Sequence, residues 1–134
     1  MFKKDNKYNN IIISSTCLLL NIAHADEKIE KNELDSIKDI IKDFFDIDSG
    51  IDDLIDTSMV IMKNSTDLFE FSKSLNEKFS YQDKVDFICC AFEVAYSDKS
   101  LHYMEEFFIK KIANTLNVEH KDLINAKKEM KDYL

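Results

Sequence analysis

The sequence predicts an all-α fold: a single domain over residues 1–134, built of about seven helices. Three observations lead there. The 134-residue chain holds no proline and one glycine, Gly50, so it lacks the turn chemistry that a succession of short strands needs. Its apolar residues recur at spacings of three and four rather than two. One helix–turn–helix stretch also occurs twice, which makes the domain a pair of pseudo-repeated helix pairs, residues 13–44 and 85–116.

The elements follow in order. A first helix is read over about Asn9 to Ala25 from the apolar run Ile11 to Ile22. The second, about Lys31 to Phe45, sets Leu34, Ile37, Ile41 and Phe44 on one stripe. Asp48-Ser49-Gly50 breaks the chain with turn residues. A third helix covers about Asp52 to Met62, and Asn64-Ser65-Thr66 offers capping side chains ahead of a fourth, Asp67 to Phe79, which carries Leu68, Phe71 and Leu75. Ser80 leads a fifth helix in which Val85, Ile88, Cys89, Phe92 and Tyr96 form a wide apolar stripe, as a central helix requires. The sixth runs from about Tyr103 to Leu116. The seventh, about Glu119 to Leu134, turns Leu123, Ile124 and Met130 inward and keeps a Lys-rich outer face. No linker or low-complexity tract divides the chain.

The start of the chain admits a second reading. Lys3, Lys4 and Lys7, the apolar run to Ile22, and Ala23-His24-Ala25 match a secretory signal with its cleavage site. The repeat decides against it. At an offset of 72 residues Cys17 falls on Cys89, Ala23 on Ala95, Asp26 on Asp98, Glu33 on Glu105 and Ile37 on Ile109, so that CLLLNIAHADEKI is echoed by CCAFEVAYSDKSL. The second copy lies deep inside the chain, where no signal peptide can be, and the first is read as the same buried unit. Ser14, Ser15, Thr16 and Asn21 interrupt the apolar run, which is too short to span a bilayer. The expectation is a retained segment in a cytoplasmic protein, with three reduced cysteines packing as small apolar residues.

Charge narrows the partners. Eighteen Lys and Arg stand against 26 Asp and Glu, a formal net charge of −8. Such a chain is poorly made for nucleic acid or anionic membranes, whose binding needs phosphates neutralised by Lys and Arg. A cation or a basic protein surface suits it better. There is no G-x-S-x-G, no Gly-rich phosphate loop and no histidine pair at zinc spacing among His24, His102 and His120. No enzyme is expected.

AHADEKIEKNEL and AYSDKSLHYMEE each close an apolar helix and enter a second one. They resemble the TerB-like all-helical domains of tellurite resistance, whose pattern runs roughly A-x-A-D-G-x-I/L-x-x-x-E and is present twice. The resemblance covers residue 13 to about residue 130. This chain departs from the pattern at Glu27 and Lys99, where the family has glycine, and at Ser97, where alanine is common. The resemblance implies a non-enzymatic module of a stress-response or tellurite-resistance type system. It also implies an acidic role toward a divalent cation at the motif positions Asp26, Glu30 and Glu33, joined by Asp98 and Glu105.

The same residues have a structural reading. Asp26 and Asp98 accept backbone N–H groups in their turns. Glu33 and Glu105, in the first turn of the following helices, reach back to exposed N–H groups and favour the positive end of the helix dipole. Ile29 and Leu101 plug the gaps between helices. Capping already explains a glutamate at a helix start, and it is the preferred reading. An EF-hand loop fails here, because Ile22 and His24 stand where oxygen ligands are required and Glu27 where glycine is. Two functions therefore remain: a TerB-like module holding a divalent cation, or a metal-free acidic adaptor or inhibitor that binds a basic protein partner. Phe44-Phe45 and Phe107-Phe108 are core contacts with one member of each pair directed elsewhere, and an exposed one would mark a partner surface.

Overall fold

The computed structural model describes residues 2–26, 28–97 and 100–133, the side chains of residues 2–9 and 26 excepted. Seven α-helices follow one another, with no strand among the described residues: α1 (Phe2–Ala23), α2 (Lys31–Phe45), α3 (Ile51–Asn64), α4 (Phe69–Lys78), α5 (Tyr81–Ala95), α6 (Tyr103–Thr115) and α7 (His120–Tyr133). A single 3₁₀ turn, His24–Asp26, follows α1.

The first helix is the centre of the molecule. It packs against α2, α3, α4, α5 and α6. Four consecutive residues, Cys17 to Leu20, are completely buried, and a helix covered on every side has no polar face to display. The polar residues inside it are accommodated locally. Thr16 Oγ1 donates to the Ile12 carbonyl (2.7 Å), and Cys17 Sγ donates to the Ser58 carbonyl of α3 (3.4 Å). Ser15 Oγ and Asn21 Nδ2 find no partner among the described residues. The helix starts at Phe2, earlier than the apolar run. Once nucleated by buried turns, a helix propagates through a flank that holds neither Gly nor Pro.

The offset of 72 residues reappears in the element boundaries. Ala23 ends α1 as Ala95 ends α5, and Lys31 begins α2 as Tyr103 begins α6. Within each pair the helices pack together, α1 on α2 and α5 on α6, and the pairs exchange contacts in both directions, α1 with α6 and α2 with α5. Ile37 and Ile40 of α2 are buried, as are their counterparts Ile109 and Ile112 of α6. Ile29 and Leu101, ahead of the second helix of each pair, pack against the core.

Helix ends follow their capping chemistry. Ser80 Oγ accepts the Asp83 N–H (3.1 Å) while Asp83 Oδ2 accepts the Ser80 N–H (3.2 Å), a reciprocal box at the start of α5. Asp67 Oδ1 accepts the Phe69 N–H (2.9 Å), so Asp67 and Leu68 lead into α4 and the helix starts two residues later than its periodicity suggests. Gly50, at φ 77°, supplies the left-handed residue before α3. Ile124 is 42 % exposed, and Ala126 joins Leu123 and Met130 on the inward face of α7. Ala126 lies three residues after Leu123 and four before Met130, on the face of α7 that meets α5. Among the described residues no helix is long and apolar enough to cross a membrane.

Central burial of α1 has a direct energetic consequence. Leu19→Ala should cost about 2–5 kcal/mol, the range for truncating a fully buried leucine. Val60→Ala, at a position 60 % exposed on α3, should stay within about 0.5 kcal/mol. Urea denaturation of the two variants beside the parent chain measures both.

Candidate functional site

Each repeat builds the same joint between its helices. In the first, Glu30 precedes α2 in extended backbone, and its N–H donates to Glu33 Oε1 (2.9 Å). Glu33 is 1 % exposed. Glu30 stays at the surface, with Lys28 Nζ 3.7 Å from its carboxylate. In the second, His102 takes the place of Glu30. Its N–H donates to Glu105 Oε1 (3.3 Å), its Nδ1 accepts the Met104 N–H (3.2 Å), and Glu105 is again 1 % exposed. The 72-residue offset thus pairs two buried glutamates, each closing the first turn of its helix from within.

The turns ahead of these caps are reached less fully. The backbone of Asp26 ends the 3₁₀ turn, which packs against both α1 and α6, so the first repeat's turn rests on the helix that carries Glu105. The Asp26 side chain and Asp98 lie outside the described residues. Among the described residues no group of three His, Cys, Asp or Glu side chains is arranged to hold a metal ion. Glu33 and Glu105 each commit one carboxylate oxygen to a backbone N–H.

A second acidic feature lies between α2 and α5. Asp39, Asp43 and Glu93 surround a groove of about 240 Å³ whose other walls are Ile40, Phe44 and Cys90. None of the ion pairs among the described residues involves these three carboxylates. Partial burial pushes the Glu93 carboxyl above its ordinary range, and the charges of Asp39 and Asp43 push it the same way. Sequence reasoning missed this groove, although two signals were present. Asp35, Asp39 and Asp43 recur at i, i+4 spacing along α2, and Glu93 interrupts the apolar stretch CCAFEVA. Glu93 is also the repeat counterpart of Asn21, so both copies place a polar side chain at this point of a buried helix.

The cysteines are free thiols. Burial raises Cys17 and Cys90 to about 12 and Cys89 to about 11, which suppresses the thiolate needed for nucleophilic chemistry or soft-metal ligation.

The architecture defines a module, helical throughout its described residues, made of two copies of a helix pair, each with a buried capping glutamate at the start of its second helix. The chain belongs to the TerB family: the family model for tellurite resistance protein TerB matches residues 13–128. None of the curated proteins or solved structures searched matches the chain.

Two outcomes follow from the caps and the groove. Glu33→Ala should cost about 0.5–2 kcal/mol, the range for a lost capping side chain, and Glu33→Gln less, because its amide oxygen can still accept the Glu30 N–H. Glu93 titrates with the opposite sign to a salt-bridged carboxylate. Its folded-state pKa is raised, so its contribution is fully present below the unfolded value of about 4.3 and is lost as pH rises through the folded value. Glu93→Gln should therefore raise the melting temperature at pH 7, and the gain should vanish below about pH 4. A pH series of thermal melts checks the sign.

Proposed function

We propose that this chain is a non-catalytic, single-domain TerB module of a tellurite-resistance or stress-response type system, working in the cytoplasm by binding a basic protein partner. The groove between α2 and α5 carries the reading. Three carboxylates, Asp39, Asp43 and Glu93, share it without a counter-cation among the described residues, and their mutual repulsion is what raises Glu93 beyond the effect of burial. Lys or Arg side chains placed there relieve that repulsion, while Ile40, Phe44 and Cys90 supply an apolar floor for the stems of those side chains.

A second reading is favoured by the matched joints. Burial of Glu33 and Glu105 at equivalent positions exceeds what capping alone demands, since an exposed glutamate can close the same box. With the first turn resting on α6, the motif carboxylates Asp26, Glu30, Glu33, Asp98 and Glu105 would supply hard oxygen donors to a divalent cation. No other cofactor is called for.

Calorimetric titration with a Lys-rich peptide separates the two. On the partner reading, affinity falls steeply with salt, and Asp39→Asn/Asp43→Asn weakens binding while Asp26→Asn leaves it unchanged. Equal binding by the double variant removes the groove from consideration. On the cation reading, the parent chain melts higher with calcium, magnesium, manganese or zinc than with EDTA, by about 2.7 kcal/mol at a hundredfold excess of metal over its dissociation constant, and Asp26→Asn and Glu33→Gln lose that gain. Equal shifts in all three proteins end the cation reading.

A further inference from the structure

A cavity of about 330 Å³ opens on the opposite chemistry to the acidic groove, where the segment leading into α4 meets α6. Its walls are mainly apolar, with Leu68 and Phe69 on one side and Phe108 and Ile112 on the other. The size lies at the lower end of the range for small-molecule sites. Its charged lining residues are one cation and one anion, and Thr66 and Thr115 add hydroxyl-bearing side chains. Lys111 is one of its lining residues, and its ammonium lies 5.9 Å from the centroid of the Phe107 ring beside the cavity, a placement that the quadrupole of the ring favours. Asp67 lines it with a carboxylate whose Oδ1 accepts the Phe69 N–H. The two do not pair with each other, and Lys111 takes part in none of the ion pairs among the described residues. Ser72, 3 % exposed, adds a hydroxyl to the wall.

An apolar acid would meet Asp67, and an apolar amine would meet Lys111. A molecule carrying both charges on a short backbone satisfies each group and leaves its apolar body for the Leu68, Phe108 and Ile112 walls. We propose that this cavity binds a small apolar zwitterion, a free amino acid of the leucine or phenylalanine type, with its carboxylate toward Lys111 and its ammonium toward Asp67. The site is separate from the α2–α5 groove and from the acidic turns, and it stands or falls independently of them.

The test is an NMR titration of the whole protein with L-phenylalanine, N-acetyl-L-phenylalanine and L-phenylalanine amide. Saturable shifts are expected for amides of residues 66–72 and 108–115 with the free amino acid, and weaker binding is expected for each derivative, which lacks one of the charges. Lys111→Gln and Asp67→Asn should each weaken the free amino acid about two- to fivefold, the scale of one exposed charge contact. Lys111→Gln should leave the amide's affinity unchanged, and Asp67→Asn that of the N-acetyl form. Both side chains are exposed, so the variants keep the fold, and unchanged spectra elsewhere confirm it. Absence of saturable shifts at these amides overturns the proposal, as does equal binding of all three ligands or indifference to both substitutions.

Discussion

Everything else in the molecule is arranged around the enclosure of α1. Five other helices cover it, and Cys17 to Leu20 are lost to solvent on all sides. Burying a large aliphatic side chain is worth about 1.5–3 kcal/mol, so such a run holds much of the stability of the fold. It also restricts what the run may contain. Ser15 and Thr16 are small enough to enter, and the Thr16 hydroxyl meets a carbonyl of its own helix, whereas a charge at these positions would find neither water nor a partner.

Duplication solves the problem that one helix pair has alone. A pair with one apolar face leaves that face in water, and a second pair of the same shape covers it. The joint between the helices is the part that both copies must keep, and here it is a glutamate turned inward. Glu33 and Glu105 use one carboxylate oxygen to close the first turn, an arrangement that orients the entering chain as well as satisfying an N–H group. The residue before them is free to differ. Glu30 offers an exposed carboxylate in one copy, and His102 a ring nitrogen to its own helix in the other. The two caps are thus alike in construction and unlike in surface chemistry.

The fold was legible because its signals are local and repeated. Helix periodicity located all seven helices, and the offset of 72 residues placed the boundaries of four of them on common ground. The errors fell at Ile124, an apolar residue off the inward stripe of α7, and at Asp67, whose side chain caps a helix that was counted as containing it. The family resemblance was readable from two short motifs, and the family model matches residues 13–128, nearly the span over which the resemblance was read. The grooves were not legible. Asp39 and Asp43 sit on α2 and Glu93 on α5, while Leu68 precedes α4 and Phe108 lies on α6, and only helix packing brings them together. Phe107 follows the helix period: adjacent to half-buried Phe108, which lies four residues before buried Ile112, it falls off that stripe and is 54 % exposed.

The last helix is attached differently from the first. α7 packs chiefly on α5, and its remaining ties are polar ones near the surface. The Tyr81 hydroxyl donates to Asp122 and accepts the Glu119 N–H (3.0 Å), while Lys127 donates to Glu106 and holds that carboxyl below its ordinary range. Such ties are cheap to break compared with the enclosure of α1, so the protein has a graded cooperativity. Backbone amides of α7 can exchange with solvent through a local opening that leaves the other helices in place, whereas those of the enclosed stretch Cys17 to Leu20 require a far larger unfolding.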